Sequence, residues 1–178
     1  MHDHLYTIDE LEVTNLIAKD GYALEGVAGY VHEMVRPGTT RLIRLFNADT
    51  DKHFFTTKQD EADLIVANEG YRNEGTDCYV YPDLVNLPEG IEASFLKPLM
   101  CLHHPSSGDY FYTIDLDEAN VAVAYSGYQS KGVVCYMHDL ASAPAGSVPL
   151  YHLQRGGKHK VRQEGEDEML SEYKGPPT

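Results

Sequence analysis

Three short stretches carry the side chains best suited to chemistry: Asp3, His4 and Tyr6; Asn47, Asp51 and His53; and His104, Asp109 and Tyr110. Each combines a carboxylate with an imidazole; the first and third add a phenol, and the second adds the Asn47 amide. Such groups grip hydroxyls while an aromatic face stacks on C–H surface, which is the demand made by a sugar. Two further pairs, Tyr22 with Glu25 and Tyr71 with Glu74, follow at matching intervals. The expected chemistry is therefore non-covalent ligand binding, with no cofactor and no metal. His2-Asp3-His4, His103-His104 and the pair His32 and His138 lack the spacing of a zinc motif. The carboxylates are spread along the chain rather than paired across one cleft, and neither a Gly-x-Ser-x-Gly nucleophile motif nor a phosphate loop is present. Catalysis is not expected.

The elements that must position these residues repeat. Residues 4–30, 53–79 and 110–136 align without a gap. Thr7/Thr56/Thr113, Glu12/Glu61/Glu118, Gly21/Gly70/Gly127, Tyr22/Tyr71/Tyr128, Gly26/Gly75/Gly132 and Tyr30/Tyr79/Tyr136 are among the positions identical in all three. Each window opens on a strand-like aromatic run: HLYTI, HFFTT or YFYTI. Asp9-x-x-Glu12 and Asp115-x-x-Glu118 then read as capping boxes, with Glu reaching back to the N-cap amide. Lys58 cannot cap, so Thr57 is expected to substitute. Apolar residues at Val13/Leu16/Ile17 and their equivalents mark a helix face. The glycine that follows suits the left-handed residue beyond a helix end. The repeated Glu and Gly thus have structural roles, and the repeated Thr reads as a structural hydrogen-bonder.

A Leu-x-x-Leu strand recurs at 42–45, 99–102 and 150–153. The last stands after the third window, while the first window has no strand before it. This predicts that 150–154 closes onto the N-terminal strand and removes an exposed edge. The expected fold is mainly β with short helices: a pseudo-threefold, β-trefoil-like closed domain, with a three-bladed propeller-like disc as the alternative. One domain would span 1–156, in strand–strand–helix–strand units of about 1–36 plus 148–156, 37–90 and 91–147. An acidic mobile tail would follow at 157–178.

Composition narrows the partners. The net charge of −14 disfavours nucleic acid and anionic membrane surfaces. No apolar run is long enough for membrane insertion. The Met1-His2-Asp3-His4 start shows no signal peptide, so the expected location is cytoplasmic, or secreted without a visible leader. Cys78, Cys101 and Cys135 are too few for a disulfide framework and read as buried thiols. Thirteen tyrosines in a small β-rich domain also serve as packing residues.

Leu42-Ile43-Arg44-Leu45-Phe46-Asn47, Asp51-Lys52-His53-Phe54-Phe55-Thr56-Thr57, Glu61, and Gly70-Tyr71 with Glu74-Gly75 resemble a tandem-repeat domain family of microbes and fungi. Its pattern is L-Y-R-L-Y-N…G-D-H-F-Y-T-T…E…G-W-x-x-E-G, and the likeness covers nearly all of residues 1–154. The family is largely uncharacterised and often accompanies secreted hydrolases, which implies an accessory, carbohydrate-binding role. The overall plan resembles the β-trefoil lectins of mushrooms, in architecture only. The family's Trp is Tyr in all three windows, and the third window has Tyr110 for His and Lys131 for Glu. The resemblance implies a lectin-like protein, multivalent through repeated shallow sites. Its partners would be glycans or glycoconjugates, with a homodimer allowed. The alternative is a protein-interaction module, such as a trefoil-type protease inhibitor or defence protein, recognising through loop 82–93.

Overall fold

The computed structural model describes residues 2–156, so the acidic tail expected at 157–178 lies outside the described residues. In chain order the elements are β1 (Asp3–Thr7), α1 (Glu10–Lys19), β2 (Ala23–Val31), β3 (Thr40–Asn47), β4 (Lys52–Thr56), α2 (Gln59–Asn68) and β5 (Arg72–Val80). A short 3₁₀ turn (Ala93–Phe95) then leads to β6 (Leu96–His104), β7 (Asp109–Thr113), α3 (Leu116–Tyr125), β8 (Gln129–His138) and β9 (Val148–Arg155).

The repeated residues explain the recurring local structure. Asp9 and Asp115 cap their helices as expected, accepting from the amides of Leu11 and Glu12, and of Asp117 and Glu118. The glutamates do not reach back, which corrects the capping-box reading. The N-cap amides of Asp9, Lys58 and Asp115 instead donate to the hydroxyls of Thr7, Thr56 and Thr113 at 3.0–3.1 Å. Two of those hydroxyls then donate to Glu61 and Glu118. A threonine that satisfies an orphan amide and hands its own proton to a carboxylate needs no acid at the N-cap. Helix α2 therefore tolerates Lys58 without any side-chain cap, and Thr57 turns away to the carbonyl of Val134. Gly21, Gly70 and Gly127 adopt φ of +72°, +72° and +78°, where a Cβ would be strained.

The strands pair antiparallel in two sheets. One holds six strands in the order β1-β9-β2-β8-β6-β7 and curls into a half-barrel; the other holds three, β4-β3-β5. Strand β9 lies between β1 and β2, with Leu5 opposite Leu153, so the C-terminal strand does fill the place missing beside β1. The β-trefoil expectation fails, and so does the propeller-like disc. Each unit supplies only three strands, its helix standing where a trefoil leaf would need a further one. Nor do the units form separate blades. Tyr30 pairs with His138 and fuses β2 to β8 in one sheet, whereas β5 meets its neighbours through the isolated bridges His32–Tyr79 and Tyr81–Tyr136.

Packing joins what the hydrogen bonds divide unevenly. Tyr6, Phe55 and Tyr112, one from each innermost strand, form a triangle of edge-on rings with centroids 5.4–5.5 Å apart. The Tyr6 hydroxyl donates to the Tyr112 carbonyl at 2.7 Å. It also accepts from the Tyr112 amide, and the Tyr112 hydroxyl accepts from the Phe55 amide. This satisfied interior, with Leu42, Val80, Leu99, Met137 and Leu150 around it, is the main core. The three cysteines are free and buried, and burial pushes the Cys101 thiol up to about 11.

Candidate functional site

Strands β1, β4 and β7 run side by side through the centre of the molecule, so their opening residues meet at three seams between units. Asp3, Lys52 and Asp109 occupy one repeat position; His4, His53 and Tyr110 occupy the next. At two seams the groups close on one another. His53 donates its backbone amide to Asp3 Oδ1 at 2.9 Å, and its Nδ1 lies 2.7 Å from Oδ2. Tyr22 donates its hydroxyl to the same Oδ2 at 2.5 Å. The second seam repeats the pattern: His4 Nε2 lies 3.3 Å from Asp109 Oδ2, and Tyr128 donates to that oxygen at 2.6 Å. Asp3, His4 and Asp109 are each only 1% exposed.

The electrostatics follow from these contacts. Burial alone would push the His53 imidazolium down, but hydrogen bonds to Asp3 and Glu74 outweigh it and hold the group above its usual range. Glu74, bonded to His53 and flanked by Arg44, falls to about 2. For Asp109 burial opposes ionisation, yet His4, Tyr128 and Lys52 hold the carboxyl well below the carboxylate range. Burial first, and the adjacent carboxylates second, push the Tyr22 and Tyr128 phenols far up. These tyrosines serve as neutral donors.

A charged chain runs outward from the first seam. Glu74 pairs with Arg44, and Arg44 grips Glu12 of α1 with two parallel bonds of 2.9 Å. Neither Arg44 nor Glu12 was singled out from sequence as part of this assembly. The arginine sits at a position held by Cys101 and His152 in the other units, and that departure from the repeat is the signal that could have marked it. His152 was missed for the same reason: its Nε2 lies 2.7 Å from His4 Nδ1, and its ring stacks on Tyr6 at 4.6 Å.

The third seam is different. Lys52 stands where the acid should be and turns to Asp109, with Nζ 3.6 Å from Oδ1. Tyr110 stands where the histidine should be. Tyr71, the equivalent of Tyr22 and Tyr128, therefore has no carboxylate to bond. Among the described residues neither the Tyr71 nor the Tyr110 hydroxyl makes a hydrogen bond, and both residues are half-exposed. Phe54 links them, its ring edge-on to Tyr110 at 4.9 Å and to Tyr71 at 6.4 Å. His103 leans on the far side of Tyr110 at 4.6 Å.

The sequence-chosen residues thus separate. Asp3, His4, Tyr6, His53 and Asp109 lie inside, engaged with protein, rather than in shallow loops. Asn47 is also buried: its Oδ1 accepts from the amides of Asp49 and Thr50, and its Nδ2 donates to the Glu69 carbonyl, which shapes a turn. Asp51 pairs with Arg155, whose guanidinium lies over the Tyr22 ring. His104 accepts from the Ser107 amide and stands edge-on to Tyr128. Glu25 is half-buried on β2. Tyr71 and Tyr110 are brought together, with Glu74 held apart in the Arg44 chain. Among the described residues no group of three or more His, Cys, Asp or Glu side chains could hold a metal ion, and no helix is long and apolar enough to cross a membrane.

The family described as a domain of unknown function, DUF5648, matches residues 1–81 and 85–172. The chain belongs to that family. The first match takes in β1 to β5, and the second takes in β6 to β9. The family expectation holds at this coarser level, and nothing identifies the chain with the mushroom β-trefoil lectins. No curated protein and no solved structure matches it.

Proposed function

We propose that this member of the family is a non-catalytic carbohydrate-binding module whose principal site is the third seam, at Tyr71, Phe54 and Tyr110. The observation that supports it most is the pair of unbonded, half-exposed phenols there. The equivalent tyrosines at the other seams are consumed by Asp3 and Asp109. Aromatic faces of this kind stack on the C–H surface of a pyranose, and a neutral phenol both donates to and accepts from sugar hydroxyls. Burial raises the Tyr71 and Tyr110 phenols above their ordinary value, so both remain neutral at physiological pH.

The repeat therefore argues for one principal site rather than three. The experiment is a glycan array followed by calorimetry with wild type, Tyr71→Ala and Tyr110→Ala. Loss of one stacking partner should weaken binding about 10-fold. A Tyr22→Phe variant should bind as wild type. An empty array, or equal loss in all variants, counts against the reading.

A second reading, a protein-interaction module, is favoured by a different observation. The loop between β5 and β6 exposes Val85 at 68%, beside Leu84, and Phe95 is exposed where that loop ends. Exchanging residues 82–93 for a polar linker should abolish partner binding under this reading and leave sugar binding intact under the first.

A further inference from the structure

The end of the molecule opposite the seams is closed by three loops, one leaving each unit. His138 lies across from Leu96 at one end of β6, and Asp109 lies across from His104 at the other. Roughly 26 Å of strand therefore separates this end from the seams. The loops are 32–39 between β2 and β3, 81–95 between β5 and β6, and 139–147 between β8 and β9. At their roots His32, Tyr81 and His138 pack edge-on, with ring centroids 5.9–6.4 Å apart.

Each loop touches both of the others. Gly38 lies so close to the Pro88 ring that a Cβ would strike it, and Gly146 lies against the Arg36 guanidinium. Ser142 donates to the Phe95 carbonyl at 2.9 Å. Each loop is also braced within itself. The Thr39 hydroxyl bonds both backbone groups of Arg36, Asp83 accepts from the Val85 amide, and Asp139 accepts from Ser142. The loops form a closed, preformed ring.

What this ring shows to solvent is apolar. Met34, Val35, Leu84, Val85, Phe95 and Leu140 are all exposed, Met34 at 71% and Val85 at 68%. Exposed apolar residues scattered singly need no explanation, but six on mutually touching loops form a patch of the kind that marks an interaction site. The braced turns beneath them keep the ordering cost of docking low. Charge then selects the occupant. Residues 32–39, 81–97 and 139–147 carry five carboxylates, at Glu33, Asp83, Glu89, Glu92 and Asp139, against two cations, Arg36 and Lys97. Lys97 is already held 3.8 Å from Asp139. A second copy would set these carboxylates against their own kind, and an anionic membrane surface would repel them as well.

We propose that the ring is a docking surface for a basic, amphipathic polypeptide. Apolar side chains of the partner cover Met34, Val35, Val85 and Leu140, and its Lys or Arg side chains meet the surrounding carboxylates. This rests on the protein-interaction reading, which it extends from loop 82–93 to all three loops; the sugar site at the third seam is unaffected.

The probe is a synthetic peptide of Lys and Leu patterned as an amphipathic helix, titrated into the full chain while amide shifts are followed by NMR. Saturable shifts should appear in all three loops. Val85→Ser, Met34→Ser and Leu140→Ser should each weaken binding about 10-fold, and a Glu89→Lys/Glu92→Lys double variant should weaken it by at least ~10-fold. Val123→Ser, exposed on α3, should bind as wild type. All these side chains are exposed, so their substitution changes stability little. A peptide with Glu in place of Lys should not bind, and one with Ser in place of Leu should bind weakly. Shifts spread over the whole acidic surface, or equal binding of the Glu peptide, would overturn the site. Phosphatidylcholine vesicles bound through Val85, or a dimer in sedimentation that Val85→Ser dissolves, would give the ring to lipid or to a second copy and overturn it too. Binding confined to 82–93 and indifferent to Met34→Ser and Leu140→Ser sinks the three-loop ring but keeps the single-loop reading. No binding at any loop sinks the ring, and the single-loop reading then stands or falls by the exchange of 82–93.

Discussion

Two of the three seams are closed by a histidine, an aspartate and a tyrosine; the third has a lysine, a tyrosine and a free phenol in the same places. The strands and helices around them are the same. The difference is confined to Lys52 and Tyr110, which replace acid and imidazole on facing strands. The buried Lys52 takes its counter-charge from Asp109 of the neighbouring seam, and Tyr110 offers no imidazole to an acid at that place. Two seams are closed by buried hydrogen bonds, and at the third the Tyr71 phenol keeps no such bond.

That comparison can be broken most severely at Asp3. Asp3→Asn strips the charge that His53 and Tyr22 share, and unfolding experiments in denaturant should show a loss of about 3–5 kcal/mol. The acid side of the stability profile should show a loss nearly as large. Glu74 is depressed to about 2, so its contribution is full above the ordinary carboxylate pKa and is lost as pH falls from there through the folded value. The shift from 4.5 corresponds to about 3 kcal/mol. His53 has the opposite sign. Its raised pKa contributes below the unfolded imidazole value and is lost as pH rises through the folded one. Stability against pH should therefore fall at both ends, and a His53→Gln variant should lack the alkaline step.

Tyr22→Phe removes a donor to a buried carboxylate and should cost about 1.5–3 kcal/mol. Building the missing seam is the sharper test. Lys52→Asp and Tyr110→His should each destabilise alone yet couple favourably by about 1 kcal/mol in a double-mutant cycle, and the pair should lose glycan binding. The smallest effect belongs to Tyr71→Phe, within about 0.5 kcal/mol in stability. If Tyr71→Phe costs as much as Tyr22→Phe, the third seam is not open.

Much of the fold was legible because the repeat made it so. Gly21, Gly70 and Gly127 announced helix ends through the one conformation that excludes a Cβ, and the Leu-x-x-Leu frame placed β9 beside β1. The trefoil was not legible, because pairing between units depends on which strand ends approach. A single bridge at Tyr30 decides the sheet, and no local pattern encodes it. The site was half legible. Repetition picked out Asp3, His53 and Asp109 as chemically able, but alternation along a five-residue strand cannot say whether a polar side chain meets water or another unit.

The sequence by itself determined three copies of one supersecondary unit, their caps and turns, and the closing strand, because these rest on contacts a few residues apart or on a repeated frame. Only the tertiary structure decided that the polar triplets face inward, that Lys52 and Tyr110 share a seam, and that His32, Tyr81 and His138 meet. Those facts depend on how strands far apart in sequence approach, and the energy of a buried charge is set by the neighbour it finds there.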